Sequence, residues 1–504
     1  MRPLKTTLFI FCVLGLMAAL SIVWPHEGVT LGSMTLNWPS LEEVMQNPNS
    51  ASSAEAQETP ALVELTVEEV MAQELKVQED EATTAPKTKE EAFVSFTHTS
   101  DIRIFLPNDS AEYLDNFFSA LENAPNKQVR ILHYGDSQIE EDRITSRIRN
   151  NLQNQFGGIG VGMEPPVIFT QKMTINVNSY PELPYNILYG LKQMRATDNR
   201  YGPLLQVCRT QDRATVAVRP CNYTSFTKSR QFNRLGVLVD GMGRIEVKAA
   251  DSTYLLTADT LTEMQQLCID LPQAVTEADF RFEGNWNIYS LLLDGQTGVS
   301  VDNIPMRGYA GTTFSLIDKS TMQPFFDAQN VGLIILQFGG NAVPGLTSDQ
   351  SIEAWKAGIG QQINYFHRLA PEACILMIGP ADMSTNVNGE MQTYPQLPKV
   401  VNALKEAALS HNAAFWSMYD AMGGWNSMTQ WVNARPQLAG EDFIHFTHKG
   451  ANKMADLLNQ VIDQYYQNYL QRKQSYNQNN ESQNNLDSVG ALPLSADVAS
   501  TDSL

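Results

Sequence analysis

The sequence predicts an α/β fold built on a parallel β-sheet and interrupted by an inserted β domain. Three observations carry this. Apolar strand-like runs alternate with helical patterns from about Val129 to Pro165, and again from about Val301 to Leu470. These runs are apolar throughout, as strands are when helices cover both faces of a parallel sheet. Between about Pro165 and Asn303 the alternation gives way to many short β-like runs separated by Gly, Asn and Asp.

In chain order, "VRILHYG" reads as a buried strand. The helix after it carries Ile144, Ile148, Leu152 and Phe156 at a spacing of four, which makes one apolar stripe. "VGLIILQFGG" is a second strand, followed by the helix "SIEAWKAGIGQQINYFHRLA". "ACILMIGP" and the helix "LPKVVNALKEAALSHN" form the next unit; the strand "AAFWSMYDAM" and the helix "HKGANKMADLLNQVIDQYYQNYL" complete the series. Within the insert, "ATVAVRP", "RLGVLVDG", "GRIEVKAA", "STYLLTA", "QQLCIDL", "DFRFEG" and "NIYSLLLDG" predict a β-sandwich or jelly roll over residues 166–300. A long meander on the edge of the main sheet is the alternative. Tyr254, Trp286 and Tyr289 of the insert are read as core packing, with stacking on sugars as the alternative.

At the N-terminus, Arg2 and Lys5 precede an uncharged apolar run from Thr6 to Trp24, long enough to cross a bilayer as a helix. The positive-inside rule then predicts an inner-membrane anchor with the remainder exported to the periplasm or cell envelope. A cleaved signal is the rival, although "ALSIVWP" offers a poor cleavage site. Residues 26–92 are expected to form an acidic disordered linker, with Val63 to Leu75 as its one candidate helix, and residues 471–504 a disordered polar tail. A chain of 504 residues fits two or three domains. Its net charge of -20, with no basic patch, argues against nucleic-acid binding. Cys208 and Cys221 could pair or remain thiols, Cys268 and Cys374 lie in apolar runs, and no cysteine spacing fits a zinc site.

In a parallel sheet, reactive groups gather at the carboxyl ends of the strands. Four such places carry suitable side chains. Gly135-Asp136-Ser137 ends the first strand, where Ser137 is either a helix cap or a nucleophile. Gly311, in "GYAGTTF", can offer a backbone N–H where the chain re-enters the core. Asn341, after Gly339 and Gly340, can offer its amide to a developing oxyanion. Asp442 and His445 are three apart, so the carboxylate can orient the imidazole; His448 is the competing histidine, expected in the first turn of the last helix.

Together, Gly135-Asp136-Ser137, Gly311, Gly339-Gly340-Asn341 and Asp442-Phe443-Ile444-His445 resemble the sequence blocks of the SGNH/GDSL hydrolases. The resemblance covers Val129 to about Pro165 and about Val301 to Leu470, and implies a flavodoxin-like three-layer α/β/α core. It further implies a Ser137–His445–Asp442 triad, an oxyanion hole from Ser137, Gly311 and Asn341, and no metal or organic cofactor. Gln138 stands where the family name has Leu, and Ala342 where many members have Asp. The chain lacks the Gly-x-Ser-x-Gly elbow of ordinary α/β-hydrolases. A core interrupted after its first block by a β domain is similar to cell-envelope O-acetylesterases acting on peptidoglycan, which implies an O-acetylated glycan as substrate. An envelope O-acetyltransferase with the same triad and a non-catalytic glycan-binding protein are the other readings. The leaving group and the oligomeric state are not legible.

Overall fold

The computed structural model describes residues 29–31, 34–36, 102–168, 172–189, 191–221 and 226–490. The chain divides into two units, Met1–Ala85 and Pro86–Leu504. In the first, Val29–Leu31 pairs antiparallel with Met34–Leu36, inside the stretch expected to be unstructured linker. The apolar run from Thr6 to Trp24 and the candidate helix from Val63 to Leu75 lie outside the described residues. Among the described residues no helix is long and apolar enough to cross a membrane.

The second unit is built on five parallel strands: β1 (Val129–Gly135), β2 (Val299–Pro305), β3 (Val331–Gln337), β4 (Cys374–Ile378) and β5 (Ala414–Trp416). Their order across the sheet is β2-β1-β3-β4-β5. Because strand side chains alternate with a period of two, each strand feeds two cores. Leu132 and Tyr134 join Leu336 and Met377 on one face, whereas Val129 and Ile131 join Ile335 and Leu376 on the other. The first face is covered by α3 (Lys319–Ala328), α4 (Asp349–Leu369) and α5 (Leu397–Ser410). The opposite face is covered by α1 (Asp115–Glu122), α2 (Thr145–Phe156) and α6 (His448–Gly490). The expected three-layer α/β/α core is present.

Three elements differ from expectation. The run "AAFWSMYDAM" is a strand for three residues only, because Ser417 accepts a hydrogen bond from Asp420 N (3.1 Å) and caps a short helix, Met418–Met422. α6 runs on to Gly490 instead of stopping at 470; just past that point Arg472 is held by Asp115 (2.6 and 2.8 Å) and Lys473 by Glu122 (2.6 Å), both on α1. β2 was not legible as a core strand and forms the edge of the parallel sheet.

Among the described residues the insert is an antiparallel sheet of eight strands, separate from the parallel sheet, so it is not a meander on that sheet's edge. Its first strand is Gly160–Glu164, paired with the last residues of Ala278–Asp294. Three strands are long: Phe232–Ala249, Ser252–Val275 and Ala278–Asp294, with 18, 24 and 17 residues. The expected turns at "DGMG" and "EGN" are bends within continuous strands. Gly241 and Gly243 have φ of 123° and 141°, and a Cβ on either would lie 2.1 or 2.0 Å from a carbonyl oxygen of the neighbouring strand. Only glycine permits that approach. The bent sheet encloses its own core of Val237, Val247, Phe280, Phe282, Trp286 and Ile288. Cys208 and Cys221 are both buried free thiols, and burial pushes Cys208 up to about 12.

Candidate active site

The corner after β1 is shaped by Asp136. Its backbone is extended, and its side chain accepts a hydrogen bond from Gln138 N at 3.0 Å. Asp136 therefore caps the short 3-10 turn Ser137–Asp142, the role that the sequence left open to Ser137. Burial raises the Asp136 carboxyl from 3.8 to about 6.

Freed from capping, Ser137 Oγ lies 2.8 Å from His445 Nε2. His445 Nδ1 lies 2.7 Å from Asp442 Oδ2. The other carboxylate oxygen of Asp442 accepts the backbone N–H groups of Ile444 and His445, each at 3.0 Å. One carboxylate thus fixes both the loop and the ring. Burial pushes the Asp442 carboxyl up, but the His445 ring and these two N–H groups outweigh it and hold the carboxyl below its ordinary value. An Nδ1–H donated to that carboxylate leaves the Nε2 lone pair facing Ser137 Oγ, the arrangement of a general base beside a nucleophile. His448 is exposed at the start of α6, as expected. His133 on β1 is fully buried between Gln337 Oε1 and Thr145 Oγ1, each at 3.0 Å; burial pulls its imidazole down to about 4, so it is neutral and structural.

Asn341 follows β3 and donates from Nδ2 to Tyr309 O at 3.3 Å, which brings its loop beside the one that carries Gly311. Gly311 has φ of 79°, and a Cβ there would meet the Phe338 ring at 2.7 Å. A cavity of about 190 Å³ opens beside the serine, lined among others by Ser137, His445, Asn341, Asp382 and Tyr394. Gly311 does not line it. A second cavity, of about 290 Å³, lies where Glu140, Asn303 and Arg307 meet Ile187, Tyr189 and Leu204 of the insert, and Ser137, Asp442 and His445 do not line it. No group of three or more His, Cys, Asp or Glu is placed to hold a metal among the described residues.

Two residues of the site carry no signal in the sequence. Gln138 Nε2 donates to Ile444 O and its Oε1 accepts from Phe446 N at 3.3 Å, so one side chain grips the backbone on both sides of His445. Arg143 donates to Ser137 O at 2.7 Å and to Phe446 O at 3.3 Å, which joins the serine corner to the histidine loop. Ala342 is buried, and nothing in the structure explains its presence in place of Asp.

No family model and no curated relative matches the sequence. Among solved structures, a peptidoglycan O-acetylesterase superposes with a TM-score of 0.59 at 20% identity, covering 71% of this chain and 97% of that one. An acetyl xylan esterase (TM-score 0.26, 13% identity, 32% of this chain and 81% of that one) also matches. So does a family two carbohydrate esterase from Clostridium thermocellum, in complex with cellohexaose (TM-score 0.24, 11% identity, 51% and 94%). The first of these shows the shared fold.

Proposed function

We propose, for a chain with the SGNH-type α/β/α fold, that it is a serine esterase removing O-acetyl groups from a cell-envelope polysaccharide, with peptidoglycan as the substrate. The observation that carries this is the hydrogen-bonded series Ser137–His445–Asp442 at 2.8 and 2.7 Å, at the carboxyl ends of parallel strands and open to a cavity. Ser137 attacks the ester carbonyl while His445 takes its proton. The tetrahedral intermediate collapses, His445 returns the proton to the leaving sugar hydroxyl, and an acetyl-enzyme remains. Water then repeats the sequence and releases acetate. Asp442 holds the tautomer of His445 and stabilises its cation. The backbone N–H of Ser137 and the Asn341 amide receive the oxyanion, each donor being worth roughly 3 kcal/mol in the transition state.

The choice of peptidoglycan is supported by the TM-score of 0.59 to an enzyme of that specificity and by the apolar N-terminal run, which fits an exported, anchored protein. Ser137→Ala is expected to abolish acetate release from O-acetylated peptidoglycan and to leave the thermal midpoint within a few degrees. Acetate release at the wild-type rate by that variant excludes Ser137 as the nucleophile.

A further inference from the structure

Trp286 and Tyr289 of the insert are not available to a glycan: they are 2% and 0% exposed, packed inside the insert and beneath it. Among the described residues, the exposed indole lies on the core. Trp425 is 48% exposed, whereas Trp355, Trp416 and Trp431 are 9% or less. It occupies the link between the short helices Met418–Met422 and Ser427–Asn433, where Gly423, Gly424 and Asn426 all have positive φ (111°, 76° and 62°).

That link is bonded to the wall of the catalytic cavity. Asn426 exchanges two hydrogen bonds with Thr393: Asn426 Oδ1 accepts from Thr393 N (3.0 Å), and Asn426 N donates to Thr393 Oγ1 (2.7 Å). Thr393 Oγ1 in turn donates to Asp382 Oδ1 at 2.7 Å. Asp382, fully buried, also accepts from Met383 N (3.0 Å), Met428 N (2.8 Å) and Ser427 Oγ (3.4 Å). Asp382, Met383 and Tyr394 line the cavity that holds Ser137 and His445. A single buried carboxylate therefore fastens the cavity wall to the residues that follow Trp425 in the link.

We propose that Trp425 is a stacking platform for a pyranose ring of the glycan whose ester enters that cavity. This rests on the esterase reading above and adds the residue that holds the polymer. A pyranose presents C–H groups on its faces and hydroxyls at its rim, so a flat apolar surface open to water on one side is its natural complement. Holding the ring in place beforehand removes the ordering cost of binding. The left-handed Asn426 is a strained conformation for a residue with a side chain, kept by its two bonds to Thr393.

The test compares Trp425→Ala, Trp425→Phe and Tyr180→Ala, the last removing an aromatic on the insert that is 83% exposed. Substrates are O-acetylated peptidoglycan and p-nitrophenyl acetate. Trp425→Ala should lower kcat/KM on the polymer about tenfold more than on the small ester, with the loss in KM, and Trp425→Phe should recover most of it. Tyr180→Ala should alter the ratio of the two substrates little. Equal losses on both substrates, no loss, or a polymer-specific loss in Tyr180→Ala alone would overturn the platform. Quenching of tryptophan fluorescence by peptidoglycan fragments supplies a readout that needs no turnover. Trp425-dependent quenching in a wild type that hydrolyses neither substrate sinks the esterase reading and keeps the platform. Quenching that survives in Trp425→Ala rejects the platform.

Discussion

Gln138 holds the histidine loop with both of its polar atoms, and it stands directly after Ser137 in the chain. Leucine at this position keeps the volume but leaves the Ile444 carbonyl and the Phe446 N–H unpaired in a buried place. Each lost hydrogen bond is worth about 1 kcal/mol, and a small misplacement of the imidazole can cost on the order of 10²-fold in rate. Gln138→Leu is therefore expected to fold and to lose roughly 10- to 100-fold in kcat on p-nitrophenyl acetate, read beside circular dichroism; an unchanged kcat would show that the grip is dispensable. Its neighbour Asp136 makes a prediction of opposite kind. The unfolded chain releases that proton near 3.8 and the folded chain near 6, so between these values the folded state binds more protons and its stability falls as pH rises. Urea midpoints measured from pH 3.5 to 7 should show the wild type losing stability relative to Asp136→Asn as pH rises through this window, then levelling off. A difference independent of pH would mean that Asp136 ionises in the folded protein as it does in water.

At the scale of elements, the core strands were legible where both faces meet apolar neighbours, as in "VRILHYG" and "VGLIILQ". β2 was not, because Asp302 and Asn303 interrupt its pattern. Both are buried for reasons that lie elsewhere in the chain: Asp302 receives Arg130 (2.7 and 2.9 Å), and Asn303 donates to Ile139 O and Thr145 Oγ1 (2.9 Å each). In the insert, a glycine between two apolar runs has one signature whether the chain turns back or bends and continues. Gly241, Gly243 and Gly284 do the second, so four expected strands are two; in Ser252–Val275 a further two join with no glycine between them. Ser137, Asp442 and His445, which the structure brings within hydrogen-bond reach, were legible as candidates because topology sends strand ends to one crevice, which needs no knowledge of distances. The grip of Gln138 on residues 444 and 446 was not, since nothing local to Gln138 names a partner so far along the chain.

Across the whole molecule, insert and core are joined by charge as well as by packing. Arg130 on β1 bonds Asp294 at the end of the insert and Asp302 on β2, and all three are almost completely buried. Burial opposes the cation, but the two carboxylates outweigh it and hold the guanidinium well above its ordinary value. Arg130→Ala leaves two buried carboxylates facing each other without a cation. It is expected to destabilise the unit by about 3–5 kcal/mol, measured by urea unfolding, with core and insert lost in one transition; a change under about 1 kcal/mol would mean that water replaces the arginine. The order of the sheet also has a consequence for synthesis. β1 stands between β2 and β3, so Val129 cannot meet its register partner Val299 until the entire insert has left the ribosome. At typical elongation rates that takes on the order of 10 s, during which the strand that leads into Ser137 has both edges open. A newly made chain is thus most prone to pair with the wrong strand before β2 emerges, and a holdase that shields β1 over that interval would raise the yield of active protein more than one that acts after release.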